Sequence, residues 1–516
     1  MTYQDLSVNQ LVEHLSGGWQ SDHTGWVMEL INRWKSSLKA PVEIKQHNQN
    51  EVRLVTDLSD IHLRGMNEVP CLISGGNGSD GLQDFWRKSS GPGRLPFVLT
   101  LSDQTFSQAK SMVGDRGLVL SANQIKQLLS SPDPREFLKK QLHKAIPKQR
   151  LIPYDFLRSS EGSMFFGRRH ELNRLRHEDG TSFAIAGPGK VGKSSLIKQY
   201  RLQMVRERDP RTSLRYYIDF YDCADTSPDG VARFFAMKID PSKHSDRMMA
   251  DGLLDFLRYQ SYKNNHVPLD LLLDEVDEVC NGEAFRMLGE AAKLGYCRLA
   301  LCGKSALLRM MLDKDSPLKG RLELIQLEPL DETSARRLIL EPLRDLGIEI
   351  SDPDLLINQI FRLTGRLPHL LQLYGKRLAT LAIDENATRI TANHIETLKW
   401  DFAVAQIFAE PLRNLSDPET KLIALLLLQN GSGEFSLQSV QKIAEKESLH
   451  YNLGQVIELC NDLVISNLLT WHSGRYRIAN EALIDYVRHQ GLLEESEFVQ
   501  TREAVKKRRE AHHQSQ

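Results

Sequence analysis

No segment of this chain is apolar for long enough to cross a bilayer. The longest aliphatic run, residues 422–428, falls far short of the about 20 residues a spanning helix needs, and it reads as a buried helix face. The first ten residues, MTYQDLSVNQ, lack the charged stretch and apolar run of a secretory signal. Both absences predict a cytoplasmic protein with no membrane partner. The six cysteines, Cys71, Cys223, Cys280, Cys297, Cys302 and Cys460, form no C-x-x-C pair. That spacing excludes zinc ribbons and fingers and leaves reduced thiols in apolar runs. There is no excess charge of either sign: 66 Lys+Arg against 67 Asp+Glu give a net charge of -1. A general pull toward nucleic acid or an anionic membrane is thereby excluded, though a local basic patch is not. No internal repeat is present, which removes solenoid architectures.

What is present is an ordinary globular composition, 41% hydrophobic and 26% charged over 516 residues. That length exceeds one compact core and predicts three or four domains. Residues 1–150 read as a small N-terminal α/β domain, with strands expected at 42–45, 52–56, 69–74, 96–101 and 117–121 and helices at 26–38 and 123–129. Gly/Ser-rich loops are expected at 75–81 and 89–94. A linker, 151–164, follows. From 165 to 330 strands alternate with helices, the pattern of a parallel sheet; strands are expected at 183–186, 214–220, 269–274, 298–302 and 322–327. Residues 331–415 are helical throughout, with helices at 334–346, 354–363, 371–381 and 392–408. Residues 416–490 read as three short helices, then strands at 468–471 and 475–478 meeting at Ser473–Gly474, then a last helix: the order of a winged helix. The tail, 491–516, is charged and shows no clear apolar stripe.

The central motif is Gly187-Pro188-Gly189-Lys190-Val191-Gly192-Lys193-Ser194, which fits G-x-x-x-x-G-K-[ST]. Glycines 187, 189 and 192 allow backbone conformations that a Cβ would block, so N–H groups can curl around a β-phosphate. The helix beginning near Lys193 turns its positive end to the same anion. These eight residues, with Ser195, are the expected nucleotide contacts. Lys193 is expected to bridge the β- and γ-phosphates and Ser194 to offer its hydroxyl to Mg²⁺. An apolar strand runs into the loop and an amphipathic helix runs out of it, the context the motif requires.

A second strand ends in Leu271-Leu272-Leu273-Asp274-Glu275. Asp274 is expected to hold the Mg²⁺, and Glu275 to orient and polarise an attacking water. Asp277 and Glu278 read as solvated or helix-capping. The strand ending in Gly303-Lys304-Ser305 should lie beside the loop's strand. Lys304 and Ser305 are then candidates to reach a γ-phosphate, with a solvated loop lysine as the alternative.

Just upstream, Phe165-Phe166-Gly167-Arg168-Arg169-His170-Glu171-Leu172 resembles the F-G-R-x-x-E-L lead-in of STAND-type P-loop ATPases, signal-transduction relatives of AAA+ ATPases. Thr364-Gly365-Arg366-Leu367-Pro368-His369 resembles the lid G-x-P motif. Leu327-Glu328-Pro329-Leu330 leads into that lid as in the family. The resemblance spans about 165–490. It implies an α/β P-loop NTPase with a parallel sheet, then a helical lid and a winged helix. It also implies ATP as ligand, Gly167 and Arg168 near the adenosine end, and Pro368 packed near the nucleotide. Two departures stand out. Many members place a phosphate-sensing His in the last winged-helix segment; here the stretch reads Tyr476-Arg477-Ile478-Ala479-Asn480. No sensor repeats follow the winged helix, so the trigger is expected to be read by the N-terminal domain or a partner. Arg321, before the fifth strand, is either a contact to a neighbouring subunit's nucleotide or a salt-bridged structural residue, and the latter is favoured.

The third helix of the winged-helix segment, about 450–462, contains no Lys or Arg and carries Glu458 and Asp462. Such a face repels phosphates, so DNA is not the favoured partner. The basic residues Arg502, Lys506, Lys507, Arg508 and Arg509 read as a solvated terminal helix or a contact for an acidic or nucleic-acid partner. In the N-terminal domain, Glu43-Ile44-Lys45 matches a nuclease E-x-K tripeptide, but the nearby acid, Asp22, is expected in a loop. The leading expectation is an ATP-binding, slowly hydrolysing switch, with a protein partner or self-association. The alternatives are an AAA+-like ATPase acting on DNA, and an ATPase gating an enzyme in residues 1–150.

Overall fold

The computed structural model describes residues 6–16, 24–40, 42–47, 51–56, 69–74, 79–89, 95–177, 181–206, 214–241, 247–280, 282–312, 316, 318–398, 407, 410–413, 415, 417–431, 433–472 and 474–514. The N-terminal sheet runs in sequence order, Val42–His47, Glu51–Thr56, Val69–Ser74, Phe97–Thr100 and Leu118–Leu120. Its first three strands are antiparallel and its last three parallel. Four helices beyond the two expected are present: Val8–Ser16 packs on the helices Thr24–Leu38 and Ala122–Ser130, while Ser79–Ser89, Asp103–Val113 and Pro134–Ala145 pack on the sheet. Polar caps set the starts of the last two, with Ser102 accepting from the Thr105 N–H and Asp133 from the Glu136 N–H. The expected loops therefore shrink, since residues 79–81 and 89 are helical; 75–78 and 90–94 lie outside the described residues. Glu43 and Lys45 sit exposed on the edge strand and pair with each other, while Asp22 lies outside the described residues.

The linker is ordered and clamped between domains. The Tyr154 hydroxyl donates to the Ile339 carbonyl at 2.7 Å, and Gln372 accepts from the Asp155 N–H at 3.0 Å. A Cβ at Gly375 would lie 2.4 Å from the Tyr154 ring, so only glycine admits this docking. Buried apolar side chains run without a break from the N-terminal sheet through Leu151 and Tyr154 into the lid.

The second sheet has the order Leu322–Gln326, Ser182–Ala186, Cys297–Gly303, Leu269–Asp274, Arg215–Asp219. All its neighbours are parallel. Its central strands are buried along their length, which is why they read as continuous apolar runs. The P-loop strand lies beside the strand ending at Gly303, as expected, and the strand ending at Gln326 flanks its other side. The carboxyl ends of parallel strands are where such sheets place ligands, and Gly187, Asp274, Gly303 and Asp219 all stand there.

The lid comprises Glu332–Asp345, Pro353–Thr364, Pro368–Asp384 and Asn393–Leu398. Of the long helix expected at 392–408, residues 399–406 and 408–409 lie outside the described residues. The C-terminal module has helices Pro418–Gln429, Leu437–Lys446 and Leu453–Ile465, then strands Leu469–His472 and Arg475–Ile478 and helix Glu481–His489. A short third strand, Glu434–Phe435, pairs with Arg475–Ile478. The third helix thus starts and ends three residues later than expected, because Asn452 forms a capping box with Gln455.

The tail departs most from expectation. Residues Glu495–Gln514 form a helix that packs on Pro418–Gln429. It does carry a stripe, Phe498, Thr501 and Val505, buried at helical spacing. A threonine in the middle and a charged surround concealed it. Its arginines are engaged: Arg502 with Glu447, Arg509 with Glu419 and Arg508 with Asp417.

Candidate functional site

The loop 187–192 leaves the buried strand at Ala186 and curls with φ of +159° at Gly187, +61° at Lys190 and +104° at Gly192. A Cβ at Gly187 would lie 2.6 Å from the Leu327 carbonyl oxygen. The loop packs there against the neighbouring strand's end, so glycine serves close approach. Helix Lys193–Arg206 follows directly, aiming its N-terminal amides back into the loop. Lys193 is buried, and its Nζ donates to the Gly187 and Pro188 carbonyls at 3.0 and 2.9 Å. Burial holds its ammonium below the usual lysine range.

Asp274 is 1% exposed at the tip of its strand. Its Oδ1 accepts the Glu275 N–H at 3.1 Å, and its Oδ2 accepts the Tyr217 hydroxyl at 2.9 Å. Burial raises its pKa, while hydrogen bonds from Ser194 and Tyr217 oppose the rise. A hydroxyl and a carboxylate brought together beside the phosphate loop are the sparse oxygen set that suits Mg²⁺, which keeps several of its own waters. Among the described residues no cluster of three His, Cys, Asp or Glu forms a closed metal cage. Glu275 is left-handed, with φ +51° and ψ +49°. For a non-glycine residue this costs about 1–3 kcal/mol and is a strain concentrated at functional sites. Its carboxylate reaches Lys304 Nζ at 3.3 Å. Asp277 instead caps the helix Ser305–Leu312, accepting from the Lys304, Ala306 and Leu307 amides. The Ser305 side chain lies outside the described residues.

Other expected contacts are drawn into scaffolding. The Ser195 hydroxyl accepts the Ser160 N–H at 2.9 Å, tying the P-loop helix to the linker. Arg168, at φ +61°, sends its guanidinium to the Val191 carbonyl at 3.3 Å and to the Glu328 carbonyl, joining lead-in, loop and lid entry. Gly167, at φ +74°, has no room for a Cβ beside Ser334. Pro368 is the first residue of its helix, and its neighbours Leu367, His369 and Leu370 line a cavity facing Gly189 and Lys190. Arg321 bonds to the Gly289 carbonyl and approaches Glu290, the structural role. Asn480 caps the helix Glu481–His489 through the Leu483 N–H.

The sequence reading missed what closes the cavity. The C-terminal module grips Gly189 from both sides: the Gly189 N–H donates to the Ile465 carbonyl at 3.1 Å, and Asn467 Nδ2 donates to the Gly189 carbonyl at 2.7 Å. Lys190 pairs with Glu410 at 2.7 Å, and Arg309 approaches Asp462 at 3.8 Å. His369 is half-buried, and desolvation, with Lys190 beside it, pushes its pKa down to about 4. Nothing in local sequence marks Asn467, whose partner lies 278 residues away.

No curated protein matches the chain. Among solved structures, a Walker-type ATPase of Pyrococcus abyssi is similar at 15% identity, covering 65% of this chain and 99% of that one, with a TM-score of 0.48. The ORC2 protein of Aeropyrum pernix is similar at 14% identity, covering 65% and 96%, with a TM-score of 0.46. A RuvB Holliday junction branch migration motor of Thermotoga maritima is similar at 15%, covering 65% and 99%, with a TM-score of 0.35. The family model described as Novel STAND NTPase 1 matches residues 153–516. That match spans more than half of the chain, so the chain belongs to the novel STAND NTPases.

Proposed function

We propose that this protein is an ATP-operated switch whose C-terminal module competes with nucleotide for the P-loop. Gly187–Ser194 and Ser195 cradle the phosphates, with Lys193 swinging from its own loop carbonyls to the β- and γ-phosphates. Ser194 and Asp274 hold Mg²⁺, which when bound neutralises charge on the phosphate oxygens. Glu275 orients a water and accepts its proton, giving slow hydrolysis that resets the switch. The observation that carries the reading is the double hydrogen bond at Gly189, because it engages a phosphate-loop amide with the Ile465 carbonyl. A phosphate that claims this amide weakens the module's hold, and the module's hold weakens the phosphate, as linkage requires.

The output is then a rearrangement of the C-terminal module that acts on a protein partner or a second copy. The exposed side of helix Leu453–Ile465 presents Leu453, Ile457 and Glu458, without a cation, a face suited to protein and not to DNA phosphates. The six buried, unbridged cysteines favour a reducing, cytoplasmic setting. Limited proteolysis and light scattering test the switch, comparing a non-hydrolysable ATP analogue plus Mg²⁺ with ADP. The expected outcome is a different cleavage pattern or size in the two states; identical patterns and sizes would remove the reading.

A further inference from the structure

The strand next to Asp274 carries a residue that no sequence motif singled out. In the parallel pairing of Arg215–Asp219 with Leu269–Asp274, Tyr217 is partnered with Leu272 and Asp219 with Asp274. Cross-strand partners share a face, so Tyr217 and Asp274 lie on one side of the sheet, one pleat repeat apart along the strands. The Tyr217 phenol spans that repeat. Its hydroxyl donates to Asp274 Oδ2 at 2.9 Å and stands 3.3 Å from Asp219 Oδ2. The other oxygen of Asp274 is held by the Glu275 amide at 3.1 Å. Both carboxylate oxygens are therefore pinned, and from different directions. The phenol is itself fixed from the phosphate-loop side. Lys198, in the helix that follows the P-loop, sets its ammonium 5.1 Å from the Tyr217 ring centroid and donates to Ser159 Oγ at 2.8 Å.

We infer that Tyr217 is a positioning residue for the Mg²⁺ site: its hydroxyl fixes the rotation of the Asp274 carboxylate so that the remaining lone pairs face Ser194. The inference rests on the nucleotide reading above. Its physical basis is that Mg²⁺ demands near-octahedral oxygen geometry, so a carboxylate free to turn about its last torsion is a poorer partner than one held at both oxygens. Groups that orient metal-binding side chains contribute about 10- to 100-fold in metal affinity. Tyr217 touches neither nucleotide nor metal in this scheme.

The test uses Tyr217→Phe in the full-length protein, which removes one oxygen and keeps the ring under Lys198. Binding of a fluorescent ATP analogue is measured first in EDTA and then as a titration with MgCl₂. The expected result is unchanged affinity in EDTA and a Mg²⁺ midpoint raised about 10- to 100-fold. An unchanged midpoint overturns the inference. So does an equal loss of affinity with and without Mg²⁺, because that reports a disturbed P-loop and not a misaimed carboxylate. If the wild-type protein binds no analogue in either condition, the nucleotide reading itself falls, a result separable from the other two.

Discussion

In the proposed scheme Lys193 serves nucleotide binding and Glu275 serves the chemistry. Lys193 is buried with its ammonium on two loop carbonyls, so its charge is available to an incoming phosphate without moving the backbone. Lys193→Ala is expected to weaken nucleotide binding on the order of 10- to 100-fold, the loss of a charged hydrogen-bonding partner, with the fold kept. Glu275→Gln is expected to leave that binding intact and to slow hydrolysis by about 10²- to 10⁴-fold. Isothermal titration and phosphate release distinguish the two. Both positions were legible in the sequence, because the phosphate loop and the acidic strand end are local patterns with few other uses. Tyr217 was not, because its role depends on the register of two strands joined by about fifty residues of intervening chain. Arg168 was legible as part of the lead-in, but its guanidinium turns to the Val191 and Glu328 carbonyls, a choice set by the fold around it.

Between elements, the grip of the C-terminal module on the loop is the feature with measurable consequences. Asn467→Ala removes one of the two bonds to Gly189. An ordinary hydrogen bond contributes about 0.5–1.5 kcal/mol, so nucleotide affinity is expected to rise by roughly 2- to 10-fold by the conversion of 1.4 kcal/mol per decade. A titration showing weaker or equal affinity would contradict the competition. The same interface carries a pH dependence. His369 is half-buried with Lys190 beside it and Glu410 beyond, and desolvation lowers its pKa from 6.5 to about 4. The folded state thus takes up fewer protons than the unfolded chain between those values. The stability it supports is complete above about pH 6.5 and declines as pH falls toward 4. The depression corresponds to about 3 kcal/mol. His369→Gln should flatten this limb of the thermal-unfolding profile, measured by Tm from pH 7 to pH 4.

At the scale of the whole molecule, the tail belongs to the C-terminal module. Phe498, Thr501 and Val505 are buried against the helix Pro418–Gln429, and Lys421 pairs with Glu497 at 2.6 Å. Phe498→Ala is expected to destabilise that module by about 3–5 kcal/mol, read as a lower denaturant midpoint while nucleotide binding is retained. The linker likewise proved to be structure: it joins the N-terminal core to the lid through Tyr154 and to the P-loop helix through Ser160. The amino-acid sequence alone determined the phosphate loop, the acidic strand, the parallel sheet and the order of lid and C-terminal module. Each is written in contiguous residues whose spacing follows from helix and strand periodicity or from phosphate geometry. Tertiary structure alone decided that Asn467 meets Gly189, that Tyr217 meets Asp274, and that a charged tail hides an apolar stripe. Those contacts join residues distant in the chain, between domains for Asn467 and Gly189 and within one domain for the other two, and the partners become neighbours only when the chain folds.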